Sequence, residues 1–180
     1  MELALRKLLL FFLVGFTSLF GYQYNSVILD IEAKIFPKIA LMEKSVQNSP
    51  SKSLHIIIVY KKINAKVAKK FQSKIEMTYK APLLGKKIVV DVVLMRRYHK
   101  LQMLPDVIIV LSYPPKEMKD IAKWANENKI VSFVYEPKDL QYGFLGSVYI
   151  GLSVKPYLNK ETIKESGFVF TPYLLQLSKF

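Results

Sequence analysis

Cysteine is absent from the 180 residues, which excludes a disulfide scaffold, a thiol nucleophile and any cysteine-held metal centre. Histidine is nearly absent: only His55 and His99 occur, one in an apolar run and one among positive charges, so neither has the spacing of a metal ligand or a triad base. Glycine at 7 and proline at 9 are too few for a collagen-like or low-complexity chain. No Walker loop or GxGxxG turn is found, and Gly151-Leu152-Ser153-Val154-Lys155 lacks the second glycine of a nucleophile elbow, which leaves Ser153 as a strand residue. Asp91 stands inside a strand run with no second carboxylate to form an acid/base pair. Together these absences predict a protein that is not an enzyme and holds neither cofactor nor metal.

Negative charge is also scarce. Twenty-seven Lys and Arg oppose 14 Asp and Glu, a net charge of +13, and such a field attracts lipid headgroups, an acidic protein face or a small anion. Twelve of the cations lie between Tyr60 and Lys100 against Glu76 and Asp91, a local balance of +10. Two readings stand for that region: solvated helix and strand faces, or an electrostatic contact that steers an anionic surface or acidic partner. Trp124, in an otherwise polar helix, reads either as packing or as an anchor for a partner.

The chain opens with Arg6 and Lys7, an apolar run from Leu8 to Phe20, and the polar stretch Gly21 to Ser26. That is the secretory signal-peptide pattern, too short for the roughly 20 residues of a spanning helix. Residues 1–21 are therefore expected to direct export to the periplasm, with an uncleaved anchor as the competing outcome. Their removal takes away Glu2, Arg6 and Lys7 and leaves +12. An exported chain seldom meets nucleic acid, so nucleic-acid binding is set aside.

The whole chain is 51% hydrophobic, and the remainder, 22–180, has the length of one domain. Ile28, Ile31, Ile35, Ile39, Met42 and Val46 recur at helical spacing, with Pro37 expected to kink or break the segment midway. Apolar runs at 54–60, 87–95, 106–112 and 130–135 read as strands covered on both faces. Between them, helices are predicted after Asn64, with Val67, Ala68, Phe71 and Ile75 inward, and from Pro114-Pro115 to Asn128. Strand and helix alternate, which predicts an α/β fold: a single three-layer domain with a mainly parallel sheet and helices on both faces. Residues 147–154 read as one more strand, Asn159 caps a helix over 160–166 that stops at Gly167, and Thr171-Pro172 opens a last helix.

The loop 136–146 (EPKDLQYGFLG) follows the last buried strand and gathers Asp139, Tyr142, Gly143 and Phe144. It reads as a partner- or ligand-binding site, since open α/β sheets place sites outside their carboxyl ends, or as a turn that merely reverses the chain. The succession of strand 106–112, helix, strand 130–135, Asp139 with Gly143-Phe144 and Gly146, strand, Asn159, Ser166-Gly167 and Tyr173-Leu174-Leu175-Gln176-Leu177 resembles the YfiR family of small periplasmic proteins. The stretch Glu32 to Lys38 is similar to that family's opening helix. The resemblance implies a regulator that restrains an inner-membrane diguanylate cyclase, or another sensor, through its periplasmic part. Disulfide-forming cysteines common in that family are missing here, so redox sensing is not carried over. A module that binds an anionic solute, like one lobe of a periplasmic binding protein, is the alternative, and a second copy of the chain is a further candidate partner.

Overall fold

In a computed structural model that describes residues 24–180, the two ends of the sheet are set by its topology. The expected leader, residues 1–21, lies outside the described residues. The first element, α1 (Ser26–Ala40), is followed by α2 (Lys44–Asn48), β1 (Ser53–Tyr60), α3 (Ala65–Thr78), β2 (Lys87–Leu94) and β3 (Val107–Val110). Then come α4 (Pro115–Glu127), β4 (Val131–Val134), β5 (Gly146–Ile150), β6 (Val154–Leu158), α5 (Lys160–Ser166) and α6 (Pro172–Leu177). Short 3-10 segments cover Lys62–Asn64, Met95–Lys100 and Pro137–Tyr142.

The strands lie in the order β2-β1-β3-β4-β5-β6, parallel throughout except for the antiparallel β5/β6 pair. This is the expected α/β architecture, with helices on both faces. Successive residues of a strand point to opposite faces, so β1 serves two cores. Leu54, Ile56 and Ile58 meet α1 and α3 on one side, while Ile57 and Val59 join Met118, Ile121, Ala122 and Ala125 of α4 on the other. On the α1 side the Phe36 ring stacks on Phe133 with centroids 4.5 Å apart and planes 5° off parallel, an arrangement that adds to the area both rings bury.

Three expectations need correction. The segment from Ile28 to Val46 does break, but after Ala40 rather than at Pro37, which sits in the final turn of α1, where Leu41 N–H reaches the Pro37 carbonyl at 3.1 Å. The strand β2 is not covered on both faces, since it forms an edge of the sheet with Lys87 and Asp91 in water. The single strand expected over 147–154 is the first arm of a hairpin, and Ser153 lies in the turn between β5 and β6. Here Pro156 is tolerated because β6 is the last strand of the sheet, with β5 as its one strand partner.

The tail is fastened at both ends of its path. Asn159 caps α5 by accepting Thr162 N–H at 3.1 Å, and Gly167 ends the helix at φ 69°, a left-handed conformation that glycine adopts without steric penalty. Buried Glu43 caps α2 through the Ser45 and Val46 N–H groups and also accepts Val169 N–H at 3.2 Å. Residue Lys179 pairs with the outer edge of β6, its carbonyl accepting Leu158 N–H at 2.9 Å and its N–H donating to Pro156 at 2.8 Å.

Candidate functional site

From β1 the chain crosses to β2 on one side, and β3 lies on the other, so the topological switch point falls between β1 and β3. Outside the carboxyl ends of two such strands the crossovers diverge and leave a crevice. The groups that border it are Tyr60 at the end of β1 and Lys61 after it, Asn64 before α3, Ser112 and Tyr113 after β3, and Tyr135 just after β4.

Tyr24 occupies this crevice. Its phenolic oxygen accepts the backbone N–H of Ser112 at 3.1 Å and the side-chain amide of Asn64 at 3.2 Å. The ring meets Tyr135 edge to face at 4.8 Å, and the Tyr135 hydroxyl in turn accepts Asn25 N–H at 2.8 Å. Asn64 was expected to cap α3, but its side chain makes no capping bond and serves Tyr24 instead.

Around the plug the polar groups are short of water. Burial drives the Tyr24 phenol well above its ordinary range, with Tyr135, Asp139 and Glu32 adding to the rise and the Ser112 bond opposing it. Tyr113 is raised by burial in the same way, and its hydroxyl has no hydrogen-bond partner among the described residues. The carboxyl of Glu32, completely buried on α1, has none at either oxygen, and burial pushes it well above the ordinary carboxylate value, which favours its neutral form. Asp139 is raised more gently, because Lys138 and a hydrogen bond with Ser112 offset the burial.

The four loop residues separate into different roles. Phe144 is fully buried in the α4-side core, and Gly143 turns the chain at φ 98° while its carbonyl accepts the Asn126 amide at 2.9 Å. Asp139 is buried, with Oδ2 unpartnered, and belongs with the crevice cluster through Ser112 and Tyr24. Tyr142 and Gly143 are half-buried, and Tyr142 is the one of the two with a side chain to present. Trp124 packs, its ring 5.0 Å from Tyr98.

Beside the crevice, at the ends of β1 and β2, an open cleft of about 350 Å³ is lined by Tyr60, Lys61, Lys62, Leu94, Met95 and Arg96. Lys61 is drawn toward Glu117 at 3.5 Å and lies over the Tyr113 ring, whereas Lys62 and Arg96 are exposed. The basic segment 61–100 thus divides: Lys74 pairs with Asp30, Lys86 is buried and donates to the Ser49 and Ser51 carbonyls, and most of the others face solvent. His55 and Asp91 form a pair of 2.8 Å across the β1/β2 ladder, with Asp91 largely exposed. Among the described residues no three His, Asp or Glu side chains converge as metal ligands, and no helix is long and apolar enough to cross a membrane.

Sequence reasoning missed Tyr24, Glu32, Ser112 and Tyr113. Tyr24 lay in the polar stretch read as the exit of a leader, and Glu32 lay in a helix judged only by its apolar residues.

No family model matches the chain, and no curated protein matches it either. Among solved structures it is similar to a conserved domain protein from Vibrio cholerae, with 13% identity over 84% of this chain, 60% of that one, and a TM-score of 0.56. It is also similar to an ABC domain from Streptococcus pneumoniae in complex with L-Trp, with 14% identity, 84% and 59% coverage, and a TM-score of 0.50. The chain therefore spans about 60% of the length of these structures, and the likeness is one of fold.

Proposed function

We propose that this chain is a non-enzymatic regulatory domain of the periplasm that binds the periplasmic part of an inner-membrane signalling protein, a diguanylate cyclase or another sensor, and restrains it. The observation that supports this reading is Tyr24: the crevice where an open α/β sheet ordinarily receives a small molecule is filled by the protein's own phenol. What remains at that end is surface, basic at Lys62 and Arg96, which suits an extended acidic face better than an enclosed ligand. Binding one state of the sensor in preference to another biases its output by that difference in affinity, about 1.4 kcal/mol for each factor of ten.

The test is to delete the protein from its host, measure cyclic-di-GMP, and crosslink the tagged full-length chain in intact envelopes. A rise in cyclic-di-GMP, reversed by the wild-type chain but not by Tyr142→Ala, together with recovery of one inner-membrane sensor, is the expected result. Unchanged cyclic-di-GMP with no sensor recovered overturns it.

The second reading, a module for an anionic solute, is favoured by the open cleft with Lys61, Lys62 and Arg96 on its wall and by the fold shared with a domain that was solved with L-Trp. The chain would supply a single lobe. A solute that raises the melting temperature with saturable concentration dependence supports this reading over the first.

A further inference from the structure

The strand β2 leaves one border of the sheet open. Among the described residues no strand lies beyond it, and its eight residues, Lys87–Leu94, contain no proline. Lys87 N–H donates to the Lys52 carbonyl on the β1 side at 2.8 Å. The alternation of a strand therefore turns the backbone groups of Lys87, Val89 and Asp91 inward and those of Ile88, Val90 and Val92 outward. Among the described residues the one side chain bonded to that outward row is Gln72, whose amide donates to the Val90 carbonyl at 2.8 Å, and a carbonyl has a second lone pair to offer. A border of this kind is a template for another strand.

The side chains along this border complement their own reversal. Lys87, Val89 and Asp91 share one face of β2, with Lys87 and Asp91 exposed and Val89 open over 37% of its surface. A half-turn about Val89 brings Ile88 opposite Val90, so that their outward N–H and C=O groups can exchange bonds, and brings Lys87 opposite Asp91 on both sides of the axis. A register centred two residues away, on Lys87 or on Asp91, would instead set like charges face to face. The same half-turn lays two α3 helices side by side and antiparallel over the joint. On α3, Gln72 reaches the β2 border and also donates to Glu76 at 3.1 Å, and Lys69 falls on their row one and two turns earlier. Lys69 and Glu76 are both exposed, and reversing the row sets the cationic end of one helix beside the anionic end of the other.

We propose that two copies of this chain join along β2 in antiparallel register about Val89, continuing one sheet through both, with Lys87 of each copy paired to the partner's Asp91. A patch that meets itself in this way closes a two-fold pair. The pairing does not depend on which signalling protein or solute the domain meets.

The absence of cysteine makes the test clean. Across the axis the two Val89 positions form a pair without mutual backbone bonds, their Cα atoms about 4.5 Å apart, within the span of a disulfide. The full 180-residue chain carrying Val89→Cys is oxidised in intact cells and run without reductant, and most of it is expected to migrate as a linked pair. Asp91→Cys, whose two copies would stand about 13 Å apart in this register, and Leu152→Cys, fully exposed in the β5/β6 turn, are expected to stay single. Chains carrying Lys87→Cys and Asp91→Cys should link to each other when expressed together. In the Val89→Cys background, Lys87→Asp or Asp91→Lys should lower the linked share several-fold, and both changes in one chain should restore it. Equal linking at positions 89 and 152, or a double charge variant no better than the singles, overturns the proposal. A Val89→Cys chain that links to a different protein also overturns it and gives this border to that partner. The mixed cysteine chains report the register even where a charge variant folds poorly.

Discussion

The phenolic oxygen of Tyr24 accepts the backbone N–H of Ser112 at 3.1 Å across 88 positions of sequence. That bond joins the start of the described chain to the end of β3, and the Asn64 amide on the same oxygen draws in the start of α3. One phenol thus ties the segment before α1 to the two crossovers that leave β1 and β3.

Tyr24→Phe keeps the ring and removes the acceptor. The Ser112 N–H and the Asn64 amide then lose a partner in a half-buried place, which costs about 1–3 kcal/mol. Denaturant unfolding should report that loss, and hydrogen exchange should show the Ser112 amide deprotected more than the amides of β1. Unchanged protection at Ser112 would refute the assigned role.

Glu32 predicts an unusual pH dependence. Burial raises its folded-state value well above that of an exposed carboxyl, so the native state holds its proton more tightly than the unfolded chain does. The associated stability is complete below about 4.5 and is lost as pH rises toward the folded value, at about 1.4 kcal/mol per pH unit. Asp139 acts in the same direction. Glu32→Gln should flatten the fall and raise stability at neutral pH, as read by urea titrations from pH 4.5 to 8. A slope identical to wild type would mean that the carboxyl is ionised in the fold.

Gly146 begins β5 against the Phe133 ring. A Cβ there would come within 3.1 Å of the ring and 3.2 Å of Leu158 Cδ2. Gly146→Ala should therefore destabilise by about 1–3 kcal/mol through overpacking. Adding Phe133→Leu should recover part of that loss, a coupling that a double-mutant cycle measures. Strict additivity would place the strain elsewhere.

Asn159 has two separable tasks, capping α5 through Oδ1 and donating from Nδ2 to the Leu140 carbonyl at 2.9 Å. Asn159→Ala loses both and should cost about 1–2 kcal/mol. Asn159→Asp retains the cap and loses the donor, so its unfolding midpoint should fall between the two. Equal midpoints for Ala and Asp would show that the cap contributes nothing.

The fold was legible where a local signal agrees with burial. Ile56 to Val59 read as a doubly covered strand because no polar residue interrupts them, and α5 could be bounded because Asn159 and Gly167 stand at its two ends. The β5/β6 turn was not legible, since Gly151-Leu152-Ser153 lacks an Asn-Gly or Asp-Gly signal and its apolar Leu152 continues the strand pattern. The loop 136–146 was found, but composition does not reveal depth, and Phe144 proves to be core rather than surface. Tyr24 escaped because its partners are Asn64 and Ser112, 40 and 88 residues away, and nothing in its neighbourhood announces them.

The pairing of Lys179 along the outer side of β6 governs how copies of this protein can accumulate. Strand-by-strand growth into a fibre requires every unit to offer two unsatisfied borders, one to receive and one to extend. Here one border is already met by Lys179, and the other, β2, carries the exposed Lys87 and Asp91. Edge-to-edge association through β2 accordingly ends at two molecules, since the β6 border offers no open ladder for a third.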